Sequence, residues 1–249
     1  MDTRYWGPDG WKLLHTITYN YPIEPCIDDI MNHKLFFYII GDILPCKYCR
    51  ISYKQYIKDL PPDNFLNSRN DVFKWLYLIH NMINNKLRKQ GHITFENPSY
   101  EEIYEKYSKK PNMDECLIGS CFLKAIVYNY PEVINKDSER IKRLYYMFFN
   151  YLMIVYPNSS KELLINFNAS KNIYNNLNNR NNIKKWYYIL CCYIEKNCKD
   201  IKPYNIFCRD CEKYRSKACI KTNHKGTTCR IKEKPIKDKK LKTRKEKDK

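Results

Sequence analysis

Apolar residues recur along this chain at intervals of three and four, and proline, glycine and charged clusters punctuate them, so the pattern predicts helices. Pro8 and Asp9 suit a helix start, and Trp11, Leu14, His15 and Thr18 follow on one face until Pro22 and Pro25 end the element. A second helix is expected from Asp28 to about Asp42, with Ile30, Phe36, Phe37 and Ile40 turned inward. A third begins at Pro45-Cys46 and runs to about Leu60, where Pro61-Pro62 stops it. Asn70 or Asp71 is placed to cap a fourth, whose stripe is Trp75, Leu78, Ile79, Met82, Ile83 and Leu87 and whose end is Gly91. Ser99 to Tyr107 reads as a short fifth helix, with Ser99 as cap and Glu102 at the capping-box position.

Lys109-Lys110-Pro111-Asn112 interrupts the pattern and predicts a boundary. Beyond it Cys116 to Tyr130, Asp137 to Tyr156, Ser160 to about Asn178 and Ile183 to Cys198 read as helical, and Asn175 to Asn182 as a loop or a weak helix end. Leu144, Met147, Phe148, Tyr151, Leu152 and Val155 form the expected buried stripe of one of them. No strand alternation and no internal repeat stand out. The expected fold class is all-α.

Composition changes this picture in two places. A net charge of +18 invites a nucleic-acid reading. However, the last twenty residues, Arg230 to Lys249, hold eleven Lys or Arg against four acids, the pattern of a solvated, disordered tail. A role for that tail in binding an anionic partner such as nucleic acid stays open. Twelve cysteines would suit a secreted protein, yet the start Met1-Asp2-Thr3-Arg4-Tyr5-Trp6 is no signal peptide and no apolar run is long enough for a membrane span. Either metals hold some of these thiols or the protein carries its own oxidising chemistry.

Three clusters in the first hundred residues carry candidate chemistry. Cys46-Lys47-Tyr48-Cys49 is a Cys-x-x-Cys dithiol that a helix N-terminus, Lys47 and Arg50 would favour as thiolate. By spacing alone it suits a redox pair, half of a zinc site or two buried thiols. Trp11 and His15 share a helical face, as do His80 and Asn84, and such pairs build a flat slot with hydrogen-bonding edges for a planar polar heteroaromatic group. Each pair alone is ordinary core packing or a satisfied buried contact. Their coincidence with a dithiol points to redox.

Gly7-x3-Trp11-x3-His15, Cys46-x-x-Cys49 and His80-Asn81-x-Ile83-Asn84-x-Lys86-Leu87 resemble the Erv/ALR family of FAD-linked sulfhydryl oxidases, and most closely its large-DNA-virus branch, over roughly Arg4 to Tyr107. The resemblance implies a four-helix bundle plus a short fifth helix, with FAD held by Gly7, Trp11, His15, Cys49, His80, Asn81, Ile83, Asn84, Lys86 and Leu87. It implies catalysis by Cys46 and Cys49: Cys46, at the exposed end, exchanging with protein thiol substrates, and Cys49, a turn deeper, facing the flavin. Molecular oxygen would be the acceptor and hydrogen peroxide the product. It also implies a homodimer and action in the host cytoplasm or the virion, while the lack of a long apolar run predicts no membrane partner. Two positions depart from cellular members: Pro8 stands where they carry Arg, and the fifth helix offers Tyr100, Tyr104 and Tyr107 in place of a Trp. Cys26 has no assigned partner.

The expected organisation is residues 1–110 as the oxidase domain, 111–200 as a helical domain of unknown role and 201–249 as a Cys-containing basic tail. Cys208 and Cys211 are candidates for a second, shuttling pair of the kind the family uses. They also fit structural disulfides with Cys219 and Cys229, or a zinc module of spacing Cys208-x2-Cys211-x12-His224-x4-Cys229, although the apolar positions of such a finger are missing. Cys116 and Cys121 are spaced to bridge at a helix start, and Cys191-Cys192 read as core thiols or members of separate bridges. The alternative function is therefore a zinc-containing basic nucleic-acid-binding protein.

Overall fold

In a computed structural model the described residues are 2–109, 117–132, 138–157, 160–194 and 202–215, and among them there are helices and turns but no strand. Side chains at the turns set the helix limits. α1 spans Gly7–Tyr19, with Pro8 in its first turn, where a missing N–H costs nothing. α2 spans Ile27–Ile43, and Asp29 accepts from both the N–H and the thiol of Cys26, each at 3.1 Å, so Cys26 starts this helix. α3 spans Lys47–Asp59 with Cys46 as its N-cap, and a 3₁₀ turn, Pro62–Phe65, follows. α4 spans Arg69–Lys89. Its cap is Ser68, not Asn70 or Asp71: Ser68 lies in extended conformation and its Oγ accepts from the Asp71 N–H at 3.2 Å. Gly91 closes α4 at φ +69, a left-handed position that suits glycine. α5 spans Tyr100–Ser108, with Ser99 and Glu102 forming the expected capping box.

The second half departs further from expectation. α6 covers only Ser120–Tyr128, because Gly119 at φ +84 breaks the run that was expected to start at Cys116, itself outside the described residues. α7 spans Glu139–Val155. Its buried face is Tyr145, Phe148, Phe149, Leu152, Met153 and Val155, so Phe148, Leu152 and Val155 of the expected stripe are buried, whereas Met147 is exposed and Leu144 and Tyr151 are only half-buried. α8 stops at Ser170 and gives way to a 3₁₀ turn, Ile173–Asn176, in place of one long helix to Asn178. α9 starts at Arg180 rather than Ile183 and is described to Ile194, and α10 spans Tyr204–Cys211.

α1 packs on α4 and α2 on α3, while α5 lies against α1 and α4. The largest helix–helix contact joins the halves, α2 on α7, with α6 beside α1. The buried apolar side chains form one continuous core across both halves. Among the described residues no helix is long and apolar enough to cross a membrane.

One expectation needs correction at this level: there is an internal repeat. Helix α6 follows α1 with Tyr19-Asn20-Tyr21-Pro22 matched by Tyr128-Asn129-Tyr130-Pro131, α7 follows α2 with Phe36-Phe37 matched by Phe148-Phe149, and α9 follows α4 with Trp75 matched by Trp186. The 3₁₀ turns before α4 and α9 correspond as well.

Candidate active site

Ten of the predicted residues, from three helices, line one cavity of about 400 Å³, a size in the range of small-molecule sites. α1 contributes Gly7, Trp11 and His15. α4 contributes His80, Asn81, Ile83, Asn84, Lys86 and Leu87, and α3 contributes Cys49. The helical repeat explains the grouping: in α4 positions 80, 84 and 87 fall on one face, with 83 and 86 flanking it.

The ring arrangement differs from the expected pairing of Trp11 with His15. Those two rings are tilted, with centroids 6.3 Å apart, whereas Trp11 stacks on His80 across helices at 3.8 Å and 10°. His15 Nε2 meets His80 Nδ1 at 3.1 Å, so one of the two carries the shared proton, and Tyr107 of α5 stacks on His15 at 5.0 Å. The His15 Nδ1 atom is buried without a protein partner, as is Trp6 Nε1, and both residues belong to the cavity wall. Burial, together with the positive charge of Lys106, pushes the His80 ring down to about 4. His15 is held well below its ordinary value by burial first, then by the charges of His80 and Lys106. Both imidazoles are therefore neutral near pH 7 and offer hydrogen-bonding edges rather than charge.

Cationic groups sit elsewhere on the wall. Lys86 Nζ donates to Ser52 Oγ at 2.5 Å, which fixes the ammonium one turn beyond Cys49, and Lys106 reaches the cavity wall from α5. Ser52, Lys106 and Tyr107 were not among the sequence-predicted site residues. The signal available was Tyr107 on the fifth helix and Ser52 at i+3 from Cys49. Phe122, from the second half, also lines the cavity, and no motif pointed to it.

At the dithiol the structure corrects one expectation. Cys46 is fully buried rather than exposed, and it is Cys49 that is half-buried and reaches the cavity. As N-cap, Cys46 turns its Sγ back to accept from the Cys49 N–H at 3.3 Å. The Arg50 guanidinium donates to the Leu44 carbonyl and pins the corner between α2 and α3. α7 stands beside that corner, with Arg140 3.9 Å from Asp42.

Residues 8–106 match the family described as Erv1 / Alr. This segment makes up about two-fifths of the chain. It is similar to a protein of Acanthamoeba polyphaga mimivirus named a probable FAD-linked sulfhydryl oxidase, at 36% identity over 85 residues that cover 34% of this chain and 59% of the relative. The mitochondrial FAD-linked sulfhydryl oxidase of Saccharomyces cerevisiae is 33% identical over 88 residues, 35% of this chain and 46% of that protein. An African swine fever virus FAD-linked sulfhydryl oxidase is 29% identical over 104 residues, 41% of this chain and 82% of the relative. The chain thus spans between about half and three-fifths of the first relatives it matches.

The segment that matches Erv1 / Alr contains neither Cys208 nor Cys211. Both lie on α10 and carry free thiols. Cys211 is buried and its thiol is pushed up to about 11 by burial, unlike an exposed shuttle. His224, Cys229, Cys219, Cys116 and the basic tail lie outside the described residues, and the zinc spacing with them. Among the described residues no group of three or more His, Cys, Asp or Glu side chains is placed to hold a metal.

Proposed function

We propose that this chain is an FAD-dependent thiol oxidase that forms disulfides in protein substrates, with molecular oxygen as acceptor and hydrogen peroxide as product. The observation that carries this reading is the placement of Cys49 on the wall of the same cavity as Trp11, His15, His80 and Asn84. A dithiol beside an aromatic, amide-edged slot is the arrangement that lets electrons leave sulfur for a planar acceptor.

The residues present fit FAD. The buried His15 Nδ1 and Trp6 Nε1 lack protein partners, and a buried polar atom without one is costly unless a ligand supplies it. Asn81, Asn84 and the His80 edge would hold the polar rim of a heteroaromatic ring, with Trp11 and Ile83 against its apolar body. Lys86 and Lys106 would balance the charge of a diphosphate. The chemistry FAD supplies when bound is two-electron transfer from a dithiol to dioxygen.

The remaining steps belong to the chain. A substrate thiolate attacks the Cys46–Cys49 disulfide at Cys46 Sγ, breaking the S–S bond and releasing the Cys49 thiolate. A second substrate thiolate then displaces Cys46, so the substrate leaves as a disulfide and the enzyme dithiol keeps the two electrons. Because Cys46 is buried, substrate entry requires the 43–46 corner to open. Relatives from large DNA viruses support an origin and action in the host cytoplasm or the virion.

The test is spectral. The purified protein is expected to be yellow, to bleach with dithiothreitol without air and to regain colour with oxygen. Cys49→Ala should retain the colour and lose dithiol-dependent oxygen consumption by a factor of at least ~1,000, since among the described residues no other cysteine lines the cavity. A folded, colourless protein sinks the reading.

A further inference from the structure

The internal repeat extends to hydrogen bonds that no secondary structure requires. Tyr21 Oη donates to the Leu66 carbonyl at 2.7 Å, and Tyr130 Oη to that of Leu177 at 2.8 Å. Arg69 Nε donates to the Tyr21 carbonyl at 2.6 Å, and Arg180 Nε to that of Tyr130 at 2.6 Å. Trp75 Nε1 donates to the Leu60 carbonyl at 2.9 Å, and Trp186 Nε1 to that of Lys171 at 2.7 Å. In each case the donors and the acceptors occupy corresponding places in the two halves. Two unrelated helical regions would not reproduce three long-range, side-chain-to-carbonyl bonds in the same order.

The halves also meet as equals. α1 packs on its counterpart α6, and α2 on its counterpart α7. Phe36 stacks on its own counterpart Phe148, with centroids 6.0 Å apart and planes at 20°. A Cβ on Gly10 would come within 3.1 Å of Phe122, and one on Gly119 within 2.7 Å of Leu13. Gly10 corresponds to Gly119 and Leu13 to Phe122, so the contact is reciprocal. Contacts in which i meets j′ and j meets i′ are the signature of a two-fold interface between copies of one unit.

The chemistry did not survive in the second copy. Pro45-Cys46-x-x-Cys49 is matched in sequence by Pro157-Asn158-x-x-Lys161, so neither thiol has a counterpart. Ser120 stands for Trp11, Lys124 for His15, and Cys191-Cys192 for His80-Asn81. The space corresponding to the slot is filled from α10 and the turn after it. Lys124 Nζ lies 5.7 Å from the centre of the Phe207 ring, and Tyr214, itself buried, donates to Cys121 Sγ at 3.0 Å.

We infer that residues 117–215 are a degenerate second copy of the oxidase bundle that serves as its built-in partner, so that the chain is a one-chain pseudo-dimer with a single redox centre. It closes the α1/α2 face from within, and the protein has no need of a second chain there. The flavin half of this inference rests on the oxidase reading; the partner half does not.

Light scattering on the purified full-length protein, with flavin counted by absorbance against protein, separates them. The expected result is the mass of one chain, 30.3 kDa, with one flavin per chain. A mass of two chains, persisting on dilution, overturns the built-in partner, and two flavins per chain overturn the degeneracy of the second copy. A single-chain mass with no flavin supports the partner and sinks the oxidase reading.

Discussion

At the scale of single residues, His80 and His33 make stability depend on pH. Burial pushes each ring down to about 4, with Lys106 adding to the effect at His80 and Asp29 opposing it at His33. An unfolded histidine takes up its proton near 6.5, so between that pH and about 4 the unfolded chain binds protons that the folded chain refuses. The stabilisation is complete above about 6.5 and is lost as pH falls, by something on the order of 3 kcal/mol for each ring across that window. Urea melts of flavin-free protein at pH 7 and pH 4.5 measure it. His80→Gln should remove its share of the difference, and an unchanged difference would show that the ring is not held neutral by burial. Residue identity was the most legible layer of the site, because Trp11, His15, His80 and Asn84 are each chosen by ring or amide chemistry that no neighbouring substitution supplies. The pairing of those rings was not legible: the Trp11–His80 stack crosses from α1 to α4, and only helix packing decides it.

At the scale of elements, α5 is the least anchored wall of the cavity. It has no buried residue; Tyr100, Tyr104 and Tyr107 pack edge-on around Phe73, Tyr107 also stacks on His15, and the Ser99–Glu102 box caps the helix. Ser99→Ala removes one half of that box, at a cost of about 1 kcal/mol. Because α5 carries Lys106 and Tyr107 onto the cavity, fraying should weaken FAD binding several-fold while turnover of the loaded enzyme stays near normal. Flavin fluorescence titration checks this, and unchanged affinity would remove α5 from the site. Helix existence was read well from the 3.6-residue period, since Pro61-Pro62, Gly91 and the Ser99 box are local signals. The shifted boundaries answer to long-range packing: Gly119 at φ +84 meets Leu13 of the other half, and the break between Ser170 and Ile173 is held by the Trp186 indole, which donates to the Lys171 carbonyl; local pattern encodes neither. Cys46 is the same case: its exposure depended on a corner whose surroundings come from α7, a hundred residues away.

At the scale of the whole molecule, one core runs through both halves, and Phe148 sits where they meet. It is fully buried, stacked on Phe36 and edge-on to Phe149. Truncating a buried Phe costs about 3–5 kcal/mol, since the lost contacts and the cavity add. In a chain of this size that corresponds to a fall in Tm of roughly 10 °C. The informative quantity is how the fall is shared. If the second half completes the first, Phe148→Ala lowers one cooperative transition, and flavin is released at the same lowered temperature as helix is lost, although Phe148 does not line the flavin cavity. Two independent bundles would instead unfold in two steps, with flavin release left at its original temperature. Far-UV circular dichroism and flavin fluorescence, followed in the same thermal ramp, distinguish these outcomes. Coincident shifts would mean that the stability of the redox site is set in part by a half of the chain that contributes neither catalytic thiol.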